Sequence, residues 1–318
     1  MNIKTNRLRR FKSISKDFMY NILASLVLTG ISQVIVYPIL AYRYSDADYG
    51  TILTVMGIVN TLIVAFGNTL NNVRLIMATE YDQKKIEGDF NFLLIITSVF
   101  VFVVNVFICA VFFDIAWSVI IGLGIFAILG TMRSYYCVAF RLTLDFKKIL
   151  IQNIAGGVGY LAGIALLYVI PYWVLPFLMA EVFQIVYIFW NSKLQKESIV
   201  TTELCKKTTI KYGILIVTGF SSTLITYLDR IVIYPLLGGE AVSTYTVAAY
   251  FGKALGILMT PIAGVLLGYY AQKGFKMSKK LFWSINGLTF VIGVLFMVFS
   301  AIVAPIVTRV LYPTIYTN

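Results

Sequence analysis

Histidine is missing from all 318 residues of the chain. That one absence removes Ser-His and Cys-His nucleophilic pairs and the HExxH zinc motif. Cysteine is scarce: Cys109, Cys137 and Cys205 are widely spaced, with no CxxC pair for zinc or redox chemistry. Two lie in apolar stretches and one in a basic loop, and all three read as free thiols. Nothing here indicates a metal or a cofactor. Charge is the third shortage. Only 13% of the residues are charged, against about 25% in an ordinary soluble domain. The length would suggest two domains, but half of the surface needed to solvate them is missing. Disorder is excluded as well, because it requires low hydrophobicity, whereas 59% of this chain is apolar or aromatic and its mean hydropathy is +0.86. An all-α protein that crosses a membrane many times is what remains.

A helix needs about 20 apolar residues to cross the hydrocarbon core. Nine stretches qualify: 18–42, 49–73, 90–112, 115–140, 149–170, 172–191, 212–237, 241–270 and 281–304. The connections are short, leaving no room for a soluble catalytic domain. The first stretch is too long for a signal-peptide core and lacks a small-x-small cleavage pattern, so it is expected to remain as an anchor. Basic residues set the orientation. The tail over 1–17 carries Lys4, Arg7, Arg9, Arg10, Lys12 and Lys16, and the loops on the same side bring the total there to 21. The other side has only Arg43 and Arg309. Under the positive-inside rule the N-terminus is cytoplasmic. The net charge of +12 therefore reports topology and affinity for a bilayer with anionic lipids. Without aromatics interleaved in a basic soluble face, it is no sign of nucleic acid.

The first and seventh spans end alike, in Tyr37-Pro38-Ile39-Leu40 and Tyr234-Pro235-Leu236-Leu237. Each is followed by an acid and an alanine, Asp46-Ala47 and Glu240-Ala241, and then by a tyrosine, Tyr49 and Tyr245. The offset is 197 residues at the first match and 196 at the last. Span 7 thus reads as the start of a second copy of a six-span unit. An even number of spans makes the copies parallel, an arrangement used by secondary transporters. The expected organisation is a tail over 1–17, a six-helix bundle over 18–191, a linker over 192–211 and three helices of a second bundle over 212–318. Nine spans make one and a half copies, so either the chain is a fragment or its gene is naturally shortened.

The run Tyr37 to Arg43 followed by Tyr49-Gly50 resembles the opening of polysaccharide flippases, as does Gly67-Asn68-Thr69-Leu70 leading to Arg74-Leu75-Ile76. Leu228-Asp229-Arg230, Gly238, Tyr245, Ala248-Ala249-Tyr250, Gly252-Lys253 and Pro261 are similar to that family's seventh and eighth helices. The family is the oligosaccharide-lipid (O-antigen) flippase branch of the multidrug/oligosaccharidyl-lipid/polysaccharide exporter superfamily. The similarity runs along essentially the whole chain, and it rests on the ensemble rather than on one diagnostic motif. Members carry more spans than the nine found here. The resemblance implies a bacterial inner-membrane transporter, not an enzyme. It would move undecaprenyl-pyrophosphate-linked oligosaccharide by rocking two bundles about a cationic cavity, beside other polysaccharide-assembly membrane proteins.

Charge inside a span is costly and points to function by default. Arg74, Arg133, Arg230 and Lys253 are the candidate substrate-binding set, because an arginine fork grips two phosphate oxygens at once. The alternative for Arg74 and Arg133 is snorkelling to the headgroups. Lys253 is too deep for that, so a cavity or a salt bridge is expected. Asp229 and Arg230 are neighbours about 100° apart on a helix, so each needs its own partner: Lys253 suits Asp229 and Glu181 suits Arg230. A structural ion-pair network is one reading of these groups. The other makes Glu181 or Asp229 the proton carrier, since no histidine exists to do it. Gly157 to Ala162 matches a dinucleotide GxGxxA pattern but lies inside a span, so close helix packing through Gly159 and Gly163 is expected instead. Pro38, Pro235 and Pro261 are candidate kinks. Tyr37, Trp117, Tyr172, Trp173, Trp190 and Trp283 read as interfacial belts. Two other functions stay open: a small-molecule or drug exporter of the same superfamily, and a polytopic glycan-processing enzyme.

Overall fold

The computed structural model describes residues 19–270 and 279–316, so the basic tail lies outside the described residues. Within them the protein is helical, without a strand. It is an all-α, multi-pass membrane protein. Its helices are α1 (Met19–Arg43), α2 (Asp46–Lys84), α3 (Phe90–Phe112), α4 (Trp117–Leu142), α5 (Phe146–Val169) and α6 (Leu175–Asn191). A continuous run, Cys205–Tyr270, divides at Gly238, where φ is 82° and ψ is −179°. We number its halves α7 (205–237) and α8 (239–270). Then come α9 (Lys279–Leu311) and the short α10 (Pro313–Tyr316). The break falls between the expected seventh and eighth spans, at a residue whose lack of a Cβ admits the left-handed φ. Helix α7 starts at Cys205, seven residues before its apolar stretch, so the last seven residues of the expected linker are part of that helix.

Local chemistry sets the helix ends. Ser45 caps α2 by accepting from the Asp48 amide at 3.1 Å, and Asp46 and Asp48 lie in the first turn, where the helix dipole favours negative charge. Asp145 caps α5 in the same way through the Lys148 amide. Helix α1 widens into a π turn over Ser32–Val36 immediately before Pro38, whose missing N–H disrupts the regular ladder. A second π turn, Ile63–Asn68, interrupts α2, and the Tyr212 hydroxyl from α7 donates to its Phe66 carbonyl at 3.1 Å.

Lipid is as apolar as leucine, so helices in a membrane are held by close contact rather than by removal from water. The α5–α6 seam follows that rule. A Cβ on Gly159 would lie 2.4 Å from the Met179 carbonyl oxygen, and one on Gly163 would lie 2.4 Å from the Pro176 Cα. The close packing expected of these two glycines is present. Helices α2 and α7 form the second long seam and run antiparallel. Glycine 50 meets Gly239 at one end, Gly57 meets Tyr227, and Gly219 meets Thr69. Lys207 pairs with Glu80 at the other end. The belt reading needs correction at two positions. Trp117, Trp190 and Trp283 are exposed as belts should be, but Tyr37 and Trp173 are buried at 8% exposure each, packed around Phe177.

Candidate functional site

A cavity of about 840 Å³ opens between α1, α2, α4, α5, α6, α7 and α8. Its walls carry Arg133, Glu181, Asp229, Arg230 and Lys253. Five of the six charged residues singled out in the sequence therefore meet in one space.

Their pairing is partly as expected. Lys253 of α8 forms an ion pair with Asp229 of α7, and its Nζ lies 3.4 Å from the Thr226 carbonyl. Glu181 does not serve Arg230. It binds Arg133, whose Nε donates to Oε2 at 2.5 Å, so α4 and α6 are tied together inside the first six helices. Each of these two pairs is neutral overall, and each leaves its carboxylate largely buried, 8% exposed for Glu181 and 18% for Asp229.

Arg230 differs from the other two cations. Its Nη1 donates to the Leu53 carbonyl of α2 at 3.4 Å, and the guanidinium stands 5.7 Å from the Tyr227 ring. Its Nε is buried without a hydrogen-bond partner. No carboxylate pairs with it among the described residues. The adjacency on α7 explains the split: Asp229 is directed to α8 while Arg230, about 100° around the helix, is directed to α2. With the other four charges paired off, Arg230 holds the positive excess of the cavity.

Arg74 lies elsewhere. It makes a two-armed bond to Glu197, Nη1 to Oε2 at 3.0 Å and Nη2 to Oε1 at 2.6 Å, with its guanidinium 4.4 Å from the Phe90 ring. Thus Arg74 belongs to the basic end of the molecule, where it clamps the linker, and not to the cavity. Burial raises the Glu197 carboxyl above the ordinary glutamate value, and the Arg74 charge offsets part of that rise. Nearby, Asp89 is fully buried and accepts from the Tyr81 hydroxyl at 2.6 Å, from the Thr202 amide at 2.6 Å and from the Thr202 hydroxyl at 2.5 Å. The linker is locked to α2 through Arg74 and to the α2–α3 turn through Asp89.

Sequence reasoning missed the uncharged lining: Tyr37, Tyr160, Tyr227, Tyr245 and Tyr250, with Gln33 and Asn60. Tyr37, Tyr245 and Tyr250 stand out in the sequence for the repeat, the resemblance or a belt, but with 21 tyrosines in the chain nothing marks them as lining a cavity. Glu197 was findable, since it is one of two acids in an otherwise basic linker. No group of three or more Cys, Asp or Glu side chains suited to a metal occurs among the described residues. No protein-family model, curated protein or solved structure matches the chain.

Proposed function

We propose that the protein is a flippase that carries polyprenyl-pyrophosphate-linked oligosaccharide across a bacterial cytoplasmic membrane by alternating access. In this reading the N-terminus is cytoplasmic, which the distribution of basic residues supports, and α7 begins the second of two rocking bundles. The observation that carries the reading is Arg230: a cation inside a multi-helix cavity, without a carboxylate partner among the described residues, and with an unused buried donor. Such a group is costly to keep in a membrane protein unless an anion visits it. A guanidinium fork suits a phosphate oxygen pair, and tyrosines with Asn60 and Gln33 supply ring faces and hydrogen bonds for sugars. The paired charges have a different role. Either Glu181 or Asp229 takes up a proton during the cycle, releasing Arg133 or Lys253 to the substrate.

Transport by the purified chain in liposomes holding a fluorescent polyprenyl-pyrophosphoryl glycan tests this. Wild type should deliver the glycan to a glycosidase trapped inside, and Arg230→Gln should slow delivery by tenfold or more, since hydrogen bonds to charged groups contribute about 1.5–3 kcal/mol. Equal rates for both would refute the role of Arg230. If Glu181→Gln and Asp229→Asn both leave the pH dependence of transport unchanged, the proton step is wrong. A drug exporter is the second reading, because tyrosine rings attract organic cations. The unpaired Arg230 opposes it.

A further inference from the structure

The basic end of the molecule contains a second pocket, of about 560 Å³, which the transport reading does not use. Its sides are the end of α4, the start of α5 and the linker after α6. We infer that this pocket binds the headgroup of an anionic phospholipid of the surrounding leaflet, through Lys148, Lys193 and Lys196. The inference rests on these residues alone and stands or falls separately from the flippase reading.

The pocket is held in shape by its uncharged neighbours. Asn91 donates to the carbonyls of Leu194 and Glu197, at 3.1 and 2.8 Å, and Gln195 donates to those of Phe189 and Ser192. These bonds fix the linker turn, Leu194–Lys196, which carries Lys196 and directly follows Lys193. Arg74 lines the same pocket but is already neutralised by the two-armed bond to Glu197. Lys148 has a long contact to Asp145, 3.5 Å, with both side chains more than a third exposed, and its ammonium stands 5.8 Å from the Phe140 ring. Lys193 and Lys196 have no ion pair among the described residues. Of the acids lining the pocket, Glu87 alone is left to oppose the three lysines, so the space carries a positive excess.

Position and lining choose among anions. The pocket lies at the end where basic residues collect, the level at which anionic headgroups stand beside a membrane protein. The lining also includes apolar Ala139, Phe140 and Leu142, of which Leu142 is 38% exposed. A phosphodiester attached to acyl chains uses both the lysines and the exposed Leu142, while free phosphate uses only the lysines. The volume is ample for a glycerophosphate headgroup.

The test uses the purified 318-residue chain in detergent, supplied with phosphatidylglycerol, phosphatidylcholine or inorganic phosphate. Retained lipid is counted by native mass spectrometry, and the melting temperature is followed in parallel. Lys148→Gln/Lys193→Gln/Lys196→Gln is compared with Lys85→Gln/Lys147→Gln/Lys206→Gln, which removes equal charge from residues that do not line the pocket. The expected result is selective retention of phosphatidylglycerol by wild type and by the second variant. The first variant should bind it roughly a hundredfold more weakly at low salt, from about fivefold per lysine near an anionic surface. Inorganic phosphate should give no shift. Equal weakening in the two variants would reduce the effect to diffuse charge and overturn the site. So would retention of phosphatidylglycerol by the first variant, an equal response to phosphate, or a wild type that does not distinguish the two lipids.

Discussion

Glycine 50 gives the sharpest handle on the fold. It lies in the second turn of α2, where that helix meets the α7–α8 hairpin. A Cβ there would fall 1.7 Å from the Gly239 carbonyl oxygen and 2.4 Å from its carbon. On the other side of the contact, a Cβ on Gly239 would fall 2.2 Å from the Ala47 carbonyl oxygen. Ordinary contact begins at 3.4 Å, and the obstruction is backbone in both cases, so no side chain can swing away. Alanine at either position must therefore push the two ends apart by more than an ångström. Overpacking of this kind costs about 1–3 kcal/mol, occasionally more. Gly30 and Gly213 are the controls: each is helical, and a Cβ on either meets nothing within 4 Å. Alanine there should be neutral or stabilising, by up to about 1 kcal/mol from helix propensity. The assay is thermal unfolding in detergent, read by a thiol-reactive dye that reaches the buried Cys109 thiol as the helices separate. Gly50→Ala and Gly239→Ala should melt several degrees below wild type, with Gly30→Ala and Gly213→Ala at or above it. Four indistinguishable melting curves would refute the α2–hairpin contact.

Three further outcomes follow from the ion pairs and the linker. Glu181→Gln strands Arg133 in the helix interior and should destabilise by about 3–5 kcal/mol, whereas Arg133→Gln/Glu181→Gln should recover most of the loss; a double variant no better than the single one would argue against the pair. Asp89→Ala removes the acceptor of the Thr202 amide and hydroxyl and leaves the Tyr81 hydroxyl with Thr208 alone. It should loosen the linker enough for limited proteolysis to cut within 192–204 before the helices, and unchanged resistance would contradict the lock. For Glu197 the folded-state pKa is raised above its unfolded value of 4.5, so its stabilising contribution is complete below 4.5 and is lost as pH rises through the raised value. Wild type should therefore lose stability relative to Glu197→Gln across that window, by melting temperature measured at a series of pH values, and a difference constant with pH would be against it.

The apolar helices were legible because hydropathy decides which segments leave water, and among the described residues seven helices are long and apolar enough to cross a membrane. The division at Gly238 was legible because a short polar interruption separated two apolar stretches. The direction in which each helix faces was not. Rotation about the helix axis is set by side chains packed from elsewhere in the chain. Hence Asp229 and Lys253, 24 residues apart on adjoining helices, were matched correctly, while Glu181 was assigned to Arg230 and in fact binds Arg133. The same limit misplaced Arg74, since its partner Glu197 is 123 residues away in a linker with no periodicity. Tyr37 and Trp173 occur at span ends, where aromatic belts are common, but their azimuth turns them inward onto Phe177.

The central claim concerns which molecule crosses the membrane. Its most direct test is to deplete this gene in its source organism, leaving its neighbours intact, and to ask which face of the membrane exposes polyprenyl-pyrophosphate oligosaccharide. The account predicts accumulation on the cytoplasmic face, relieved by the wild-type gene in trans and not by one carrying Arg230→Gln. Unchanged lipid-linked glycan on both faces, together with lost efflux of a small molecule, would contradict it.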